Sequence, residues 1–203
     1  MIKVISFKIC PFVQRVTALL EAKKVPYEIE YISLSNKPQW FLDMSPTGQV
    51  PVLVTNSGVA LFESDAIMEY LDEVILPLEP ELSSEQRAVN RAWIYQATKH
   101  YLVQCSAMRS ADERTLFDRT GKLGKAFQKA EIALDSGPYF NGDVLSNVDV
   151  AWLPLLHRAS IINKHTCYDF LADFPKVKAW QSALMETGLA CLLYTSPSPR
   201  DRG

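Results

Sequence analysis

The chain has 203 residues, a formal net charge of −2 and a hydrophobic content of 48%. This length allows one or two domains, and the balanced charge does not indicate binding to nucleic acid or to an anionic membrane. No apolar run approaches the roughly 20 residues that span a bilayer, and no signal-peptide pattern opens the sequence. The four cysteines have neither disulfide-framework nor zinc-site spacing, so we expect a cytoplasmic location and no metal.

The first predicted elements are a strand and a helix joined at a cysteine. Residues 2–7 alternate as a half-buried strand does, and Pro11 suits the first position of a helix that continues to about Lys24. Cys10 therefore lies at the strand-to-helix turn, where the positive end of the helix dipole favours the thiolate, the nucleophilic form of the side chain. The alternative is a small buried hydrophobe that happens to precede a helix, and this stretch alone leaves the two interpretations about even.

The following residues predict the rest of an α/β domain. Alternation over 27–32 predicts a second strand, parallel to the first because a helix connects them. A short helix or turn follows, and then Pro51 leads directly into a strand, which favours a cis bond after Val50. A hairpin turn is predicted at 55–58, and Ser64 is the expected N-cap of a helix that continues to about Leu76.

After a proline-rich linker at 77–82, every predicted element is a helix. Ser146 and Asp149 form a capping box, with Asp in the place of the usual Glu, ahead of an apolar helix. The sequence thus predicts an α+β two-domain chain. A thioredoxin-like domain in the order β-α-β-α-β-β-α covers 1–76, and an all-helical domain covers 83–190.

Five motifs follow one another along residues 1–188. They are Cys10-Pro11-Phe12, Asn36-Lys37-Pro38-Gln39-Trp40-Phe41, Gly48-Gln49-Val50-Pro51-Val52-Leu53, Glu63-Ser64, and Phe140-Asn141-Gly142 with Ser146-Asn147-Val148-Asp149. Together they resemble the soluble glutathione transferase family, and most closely its cysteine-type, omega-like class. The resemblance implies a transferase with glutathione as co-substrate, and commonly a homodimer.

The resemblance also implies roles for the residues around the thiol. Cys10 would form a mixed disulfide with glutathione, and Phe12 would line its surroundings. Val50, ahead of Pro51, would pair its backbone with the cysteinyl part of glutathione as a strand does.

Three further residues would bind the charged ends of glutathione. Glu63 and Ser64 would hold the γ-glutamyl end, and Lys37 would meet the glycyl carboxylate. Each has a structural alternative: Glu63 as an exposed loop acid, Ser64 as an N-cap alone, and Lys37 as a solvated surface lysine.

The position of the second cysteine in a dithiol redox site is occupied here by Val13. Cys10 therefore cannot resolve its own mixed disulfide, and a second glutathione must do so. This indicates deglutathionylation, or reduction of small oxidants such as dehydroascorbate. Conjugation of glutathione to electrophiles is the alternative, with Ser6 and Tyr27 as weak candidates for an activating hydroxyl. A non-enzymatic, transferase-like binding protein is the third hypothesis.

Few predictions concern the helical domain and the C-terminus. Cys105 and Cys167 are interpreted as inert thiols, and Trp93 and Trp152 as core rather than site residues. Three residues are candidates for a second-substrate pocket: Tyr101, Met108 and Trp152. Residues 191–203 depart from the family pattern and resemble a translated sequencing adapter, so they are left out of the predicted fold.

Overall fold

A computed structural model describes residues 1–166 and 168–190. The chain divides into two compact units, Leu78–Gly188 and a unit formed by Met1–Pro77 with Leu189 and Ala190. The predictions for Cys167 and for residues 191–203 lie outside the described residues.

The first unit has the predicted β-α-β-α-β-β-α order, which confirms the thioredoxin-like fold. Its elements are β1 (Ile2–Ser6), α1 (Pro11–Ala22), β2 (Tyr27–Tyr31), α2 (Gln39–Met44), β3 (Val52–Val54), β4 (Ala60–Phe62) and α3 (Ser64–Val74). The sheet order is β2-β1-β3-β4, with β1 parallel to β2 and β3 antiparallel to both β1 and β4. The predicted parallel pair and hairpin are therefore confirmed.

Strand β1 lies inside the sheet and is covered on both faces. Val4 and Ile5 are both completely buried, although neighbouring residues of a strand point to opposite faces. Ile5 packs with Phe41 and Val52 on one of these faces. The prediction of a half-buried strand is thus wrong for β1, because a central strand between helices loses its polar face.

Helices α1 and α3 are fastened together near their C-terminal ends by Lys23. Its side chain is 2% exposed, and Nζ donates to Asp72 Oδ1 at 3.0 Å. The same ammonium donates to the carbonyl oxygens of Ile75 and Leu76, at 3.3 and 2.8 Å. A cation at this point satisfies carbonyls that the end of α3 leaves without helical partners and complements its negative dipole end.

The second unit contains four helices in its described part. They are α4 (Ser84–Ala107), α5 (Glu113–Ala133), α6 (Asn147–Thr166) and α7 (Pro175–Glu186). Trp152 is fully buried, with its ring centroid 5.6 Å from that of Trp180 and 6.3 Å from that of Phe127. The ring centroids of Trp93 and Phe140 are 5.0 Å apart, and the Trp93 carbonyl accepts a hydrogen bond from the Trp152 indole. Trp93 and Trp152 therefore both contribute to the core. No described helix combines the length and the apolarity that crossing a bilayer requires.

The buried carboxylate of Asp149 joins three segments of this unit, and the predicted capping box is present. Ser146 donates to Asp149 through its backbone N–H and its hydroxyl, at 2.7 and 2.6 Å. The other oxygen accepts from Phe140 N–H at 2.8 Å and from the Trp180 indole at 2.6 Å. Burial raises the pKa of Asp149, although these hydrogen bonds act in the opposite direction.

Replacing Asp149 by Ala should lower the free energy of unfolding by about 3 kcal/mol or more, because several buried donors lose their acceptor. Asp149→Asn keeps one acceptor oxygen and should lose roughly half as much. Urea denaturation followed by tryptophan fluorescence measures both variants. A loss below about 1 kcal/mol for Asp149→Ala would show that the segments hold together without this carboxylate.

Stability should also depend on the buried His157, whose pKa is lowered from 6.5 to about 4 by burial and by the adjacent charge of Arg158. The unfolded chain binds a proton below about pH 6.5, whereas the folded chain does not until about pH 4. The contribution of His157 is therefore present above pH 6.5 and is lost as the pH falls through about 4.

We expect the stability difference between the parent and His157→Gln to shrink by about 1–2 kcal/mol between neutral pH and about pH 4. Urea unfolding at several pH values measures this difference. The exposed His165→Gln serves as the control for loss of a histidine. A pH-independent difference for His157→Gln would contradict the assignment.

Candidate active site

A cavity of about 160 Å³ lies in the first unit, bordered by the N-terminal ends of α1 and α3. Its wall is formed by Phe12, Thr47, Gln49, Val50, Pro51, Glu63 and Ser64. Five of these are sequence-predicted site residues, and they come from three separate stretches of the chain. The other two predicted residues, Cys10 and Lys37, are not part of this wall.

Cys10 is the N-cap residue of α1, two positions before Phe12 of the cavity wall. It is 3% exposed, and its carbonyl oxygen accepts the first helical hydrogen bond from Gln14 N–H at 3.0 Å. Pro11 occupies the first helical position, as predicted. The thiol is thus at the positive end of the α1 dipole, where a negatively charged sulfur is stabilised.

The residue before the cysteine, Ile9, has a φ of +76°. A β-branched residue rarely adopts this left-handed conformation, and such outliers are concentrated at functional sites. Residue type gave no signal for this feature, because isoleucine is typical of strands rather than of left-handed turns.

The peptide bond between Val50 and Pro51 is cis, as predicted. Pairing of β3 begins only at Val52, and neither backbone polar group of Val50 makes a hydrogen bond within the described residues. The preceding loop is held by Ser45, whose hydroxyl donates to Gln49 O at 2.9 Å and accepts from Gln49 N–H at 3.1 Å. Val50 therefore presents a fixed backbone edge that an extended peptide could pair with.

The first residues of α3 differ from their prediction. Glu63, with φ +63°, is the N-cap residue, and Ser64 is the first helical residue. The prediction of Ser64 as N-cap is therefore wrong, because Glu63 makes the left-handed turn that starts the helix. The Glu63 carboxylate is exposed and makes no ion pair or hydrogen bond within the described part of the chain.

The hydroxyl of Ser64 is engaged by a residue that sequence reasoning missed. Arg15 is completely buried in α1, and its Nη2 donates to Ser64 Oγ and to Asp65 Oδ1, both at 2.8 Å. The signal available in the sequence was the one basic residue of a largely apolar helix, next to the cysteine motif.

Lys37 is half-buried and lies close to the loop that forms one wall of the cavity. A Cβ atom placed on Gly48 would be 3.6 Å from Lys37 Nζ, so the ammonium lies beside the stretch between Thr47 and Gln49. Among the described residues this ammonium has no carboxylate or carbonyl partner. Its charge is thus available to an anion near that wall.

The two hydroxyls suggested for thiol activation are placed elsewhere. Ser6 is buried and donates to the neighbouring carbonyl of Phe7 at 2.8 Å. Burial, together with the charge and hydrogen bond of Glu21, raises the pKa of Tyr27. Neither residue lines the cavity. Their positions do not favour a conjugating mechanism based on these hydroxyls.

The candidates for a second-substrate pocket have different surroundings within the helical unit. Tyr101 and Trp152 are fully buried, and the Tyr101 hydroxyl donates to the Ala151 carbonyl. Met108 is 44% exposed, and Cys105 is a half-buried thiol on α4. These environments favour core roles for Tyr101 and Trp152.

Two family models match the chain. The N-terminal domain of glutathione S-transferases matches residues 9–74, and the C-terminal domain of the same proteins matches residues 99–190. Glutathione S-transferase omega-1 of Sus scrofa is 31% identical over 204 residues, which cover 97% of this chain and 82% of the relative. The chain belongs to the glutathione S-transferase family. The predicted family and its omega-like character are thereby confirmed.

Two further comparisons agree with this assignment. Glutathione S-transferase DHAR2 of Arabidopsis thaliana is 32% identical over 160 residues, which cover 77% of this transferase and 70% of the relative. The crystal structure of glutathione transferase Omega 3C from Trametes versicolor matches with a TM-score of 0.82 at 24% identity, over 97% of this chain and 90% of that one. This similarity confirms the fold, a thioredoxin-like domain followed by a helical one.

Proposed function

We propose that this transferase is a glutathione-dependent thiol transferase and reductase that forms a mixed disulfide at Cys10. The observation that carries the proposal is a cysteine at the N-cap of α1, beside the cavity, with Val13 where a dithiol site would have its second thiol. The chemistry of this site is therefore that of one thiol and two glutathione molecules.

The proposed cycle has two exchange steps. The Cys10 thiolate attacks the glutathione sulfur of a mixed disulfide, forms a new disulfide with that sulfur, and releases the other thiol as a thiolate, which takes up a proton. The thiolate of a second glutathione then attacks the glutathione sulfur bound to Cys10, which yields glutathione disulfide and regenerates the Cys10 thiolate. Because Cys10 is the leaving group of the second step, the α1 dipole assists that step as well.

Glutathione would be held along the cavity by backbone and charged groups. The unpaired backbone N–H and C=O of Val50 would pair with its cysteinyl residue, and Pro51 and Phe12 would provide the adjoining wall. Glu63 and Ser64 would bind the γ-glutamyl ammonium and carboxylate, and Lys37 the glycyl carboxylate. The support for these roles is the position of each group and the absence of a partner for Glu63 and Lys37 within the described residues.

The second substrate would be a small disulfide, or an oxidant of the dehydroascorbate type. Conjugation to electrophiles is the alternative activity. Homodimer formation and a cytoplasmic location stay predictions from the family resemblance, and light scattering of the purified chain tests the dimer.

The first test is intact mass after incubation with glutathione disulfide. The parent should gain one glutathione, Cys10→Ser should gain none, and Cys105→Ser, the control for the other described thiol, should behave as the parent. Added glutathione should remove the adduct, as the second exchange step requires. If the parent gains no glutathione, the mixed-disulfide mechanism is wrong, and the conjugating or the non-catalytic alternative is favoured.

A second test concerns Lys37. Lys37→Met should weaken binding of S-methylglutathione by about fivefold, the effect of one partly exposed ion pair. The ligand esterified at its glycyl carboxylate should bind the parent and the variant equally. Lys129→Met, which removes an exposed lysine of α5, is the control. If Lys37→Met weakens both ligands to the same extent, Lys37 does not bind the glycyl carboxylate.

A further inference from the structure

Asn141 and Gly142 form the sole Asn-Gly pair of the sequence. In such a pair the backbone nitrogen of the glycine can attack the asparagine side chain, because no glycine side chain hinders the approach. A bond forms between Gly142 N and Asn141 Cγ, the bond from Cγ to Nδ2 breaks, and the nitrogen leaves as ammonia. Water then opens the resulting succinimide ring to aspartate or isoaspartate. The pair can therefore convert a neutral amide into a carboxylate.

The structure binds the leaving nitrogen of this reaction on two sides. Asn141 Nδ2 donates to Glu79 Oε1 at 2.9 Å and to Asn90 Oδ1 at 3.2 Å, so both of its protons are used. Asn90 is 9% exposed, and its own Nδ2 donates to Glu79 Oε2 at 3.0 Å. The three side chains thus join the segment ahead of α4, α4 itself and the loop ahead of α6.

The attacking nitrogen is engaged as well. Gly142 N–H donates to Tyr139 O at 3.2 Å, and Gly142 O accepts from Tyr139 N–H at 3.0 Å. For the attack, Gly142 N must leave Tyr139, and the side chain of Asn141 must leave Glu79 and Asn90. Because separate partners hold the two nitrogens, the reaction requires a local opening of this loop.

We propose that Asn141 is a deamidation site whose reactivity is controlled by Glu79 and Asn90. Deamidation proceeds from the opened loop, and the hydrogen bonds of Asn141 set how large a fraction of the molecules is open. The site lies within the helical unit, and its reaction does not depend on the activity proposed for Cys10.

The product of the reaction does not restore the closed arrangement. An aspartate at position 141 has no proton to donate to Glu79 or to Asn90 Oδ1. Its carboxylate would lie beside that of Glu79, where the amide nitrogen is now 2.9 Å away, and like charges repel at this distance. Deamidation is therefore a one-way change that releases the loop from α4 and from the segment ahead of it.

The first test measures deamidation at Asn141 by peptide mapping and mass spectrometry during incubation of the full chain at neutral pH. Glu79→Ala should raise the rate by about tenfold, the effect of losing a hydrogen bond to a charged acceptor. Glu79→Gln keeps one acceptor oxygen and should give a smaller increase. Glu81→Ala, which removes an exposed acid of the same segment, is the control. An unchanged rate in Glu79→Ala would overturn the proposal.

Urea separates a local opening from loss of the whole fold. A local opening exposes little surface, so the rate in Glu79→Ala should stay nearly constant in urea below the unfolding transition. A rate that rises steeply from the lowest urea concentrations would show that deamidation follows global unfolding, and the control by Glu79 would be wrong. The parent should react at least about tenfold faster in urea above the transition than in buffer. Equal rates would show that the fold does not restrain Asn141.

Discussion

Two helices of the first unit run side by side in the same direction, and the site depends on how this arrangement is held. Arg15 connects α1 to the N-terminus of α3, and Lys23 connects the end of α1 to the end of α3. Parallel dipoles place like partial charges together at each end. At the C-terminal ends the Lys23 ammonium offsets the two negative poles. At the N-terminal ends the carboxylate of Asp65, in the first turn of α3, offsets only part of the positive charge of Arg15 and of the two helix dipoles. The cavity there is therefore suited to anionic groups of a ligand.

In the helical unit, the carboxylate of Asp149 holds three segments of the chain together. Asp149 accepts hydrogen bonds from the start of α6, from the loop at Phe140 and from Trp180 of α7, while the rings of the latter two lie 5.4 Å apart. Polar fixation and aromatic packing thus act on the same three segments. Without the carboxylate of Asp149 these buried donors would have no acceptor. Burial raises the pKa of Asp149, and the hydrogen bonds from the same donors oppose that rise.

Much of the fold could be predicted because it is encoded locally. Alternation, turn residues and the capping box at Ser146 are readable within a few positions. The cavity wall could be anticipated only through the family resemblance, because its residues are distant in sequence. The burial of both faces of β1 had no local signal, and neither did the left-handed conformations of Ile9 and Glu63. Arg15 stands out in its helix, but nothing local indicates its contact with Ser64, 49 positions away.

The conformation of Glu63 has a consequence for how this sequence can change. Glycine adopts a φ of +63° at the least cost, so backbone energy alone favours glycine at this position. A glutamate there gives up stability and keeps a carboxylate at the mouth of the cavity. Selection for thermal stability therefore favours glycine at position 63, whereas selection for ligand binding favours glutamate. A laboratory lineage selected for thermal stability alone would be expected to lose Glu63.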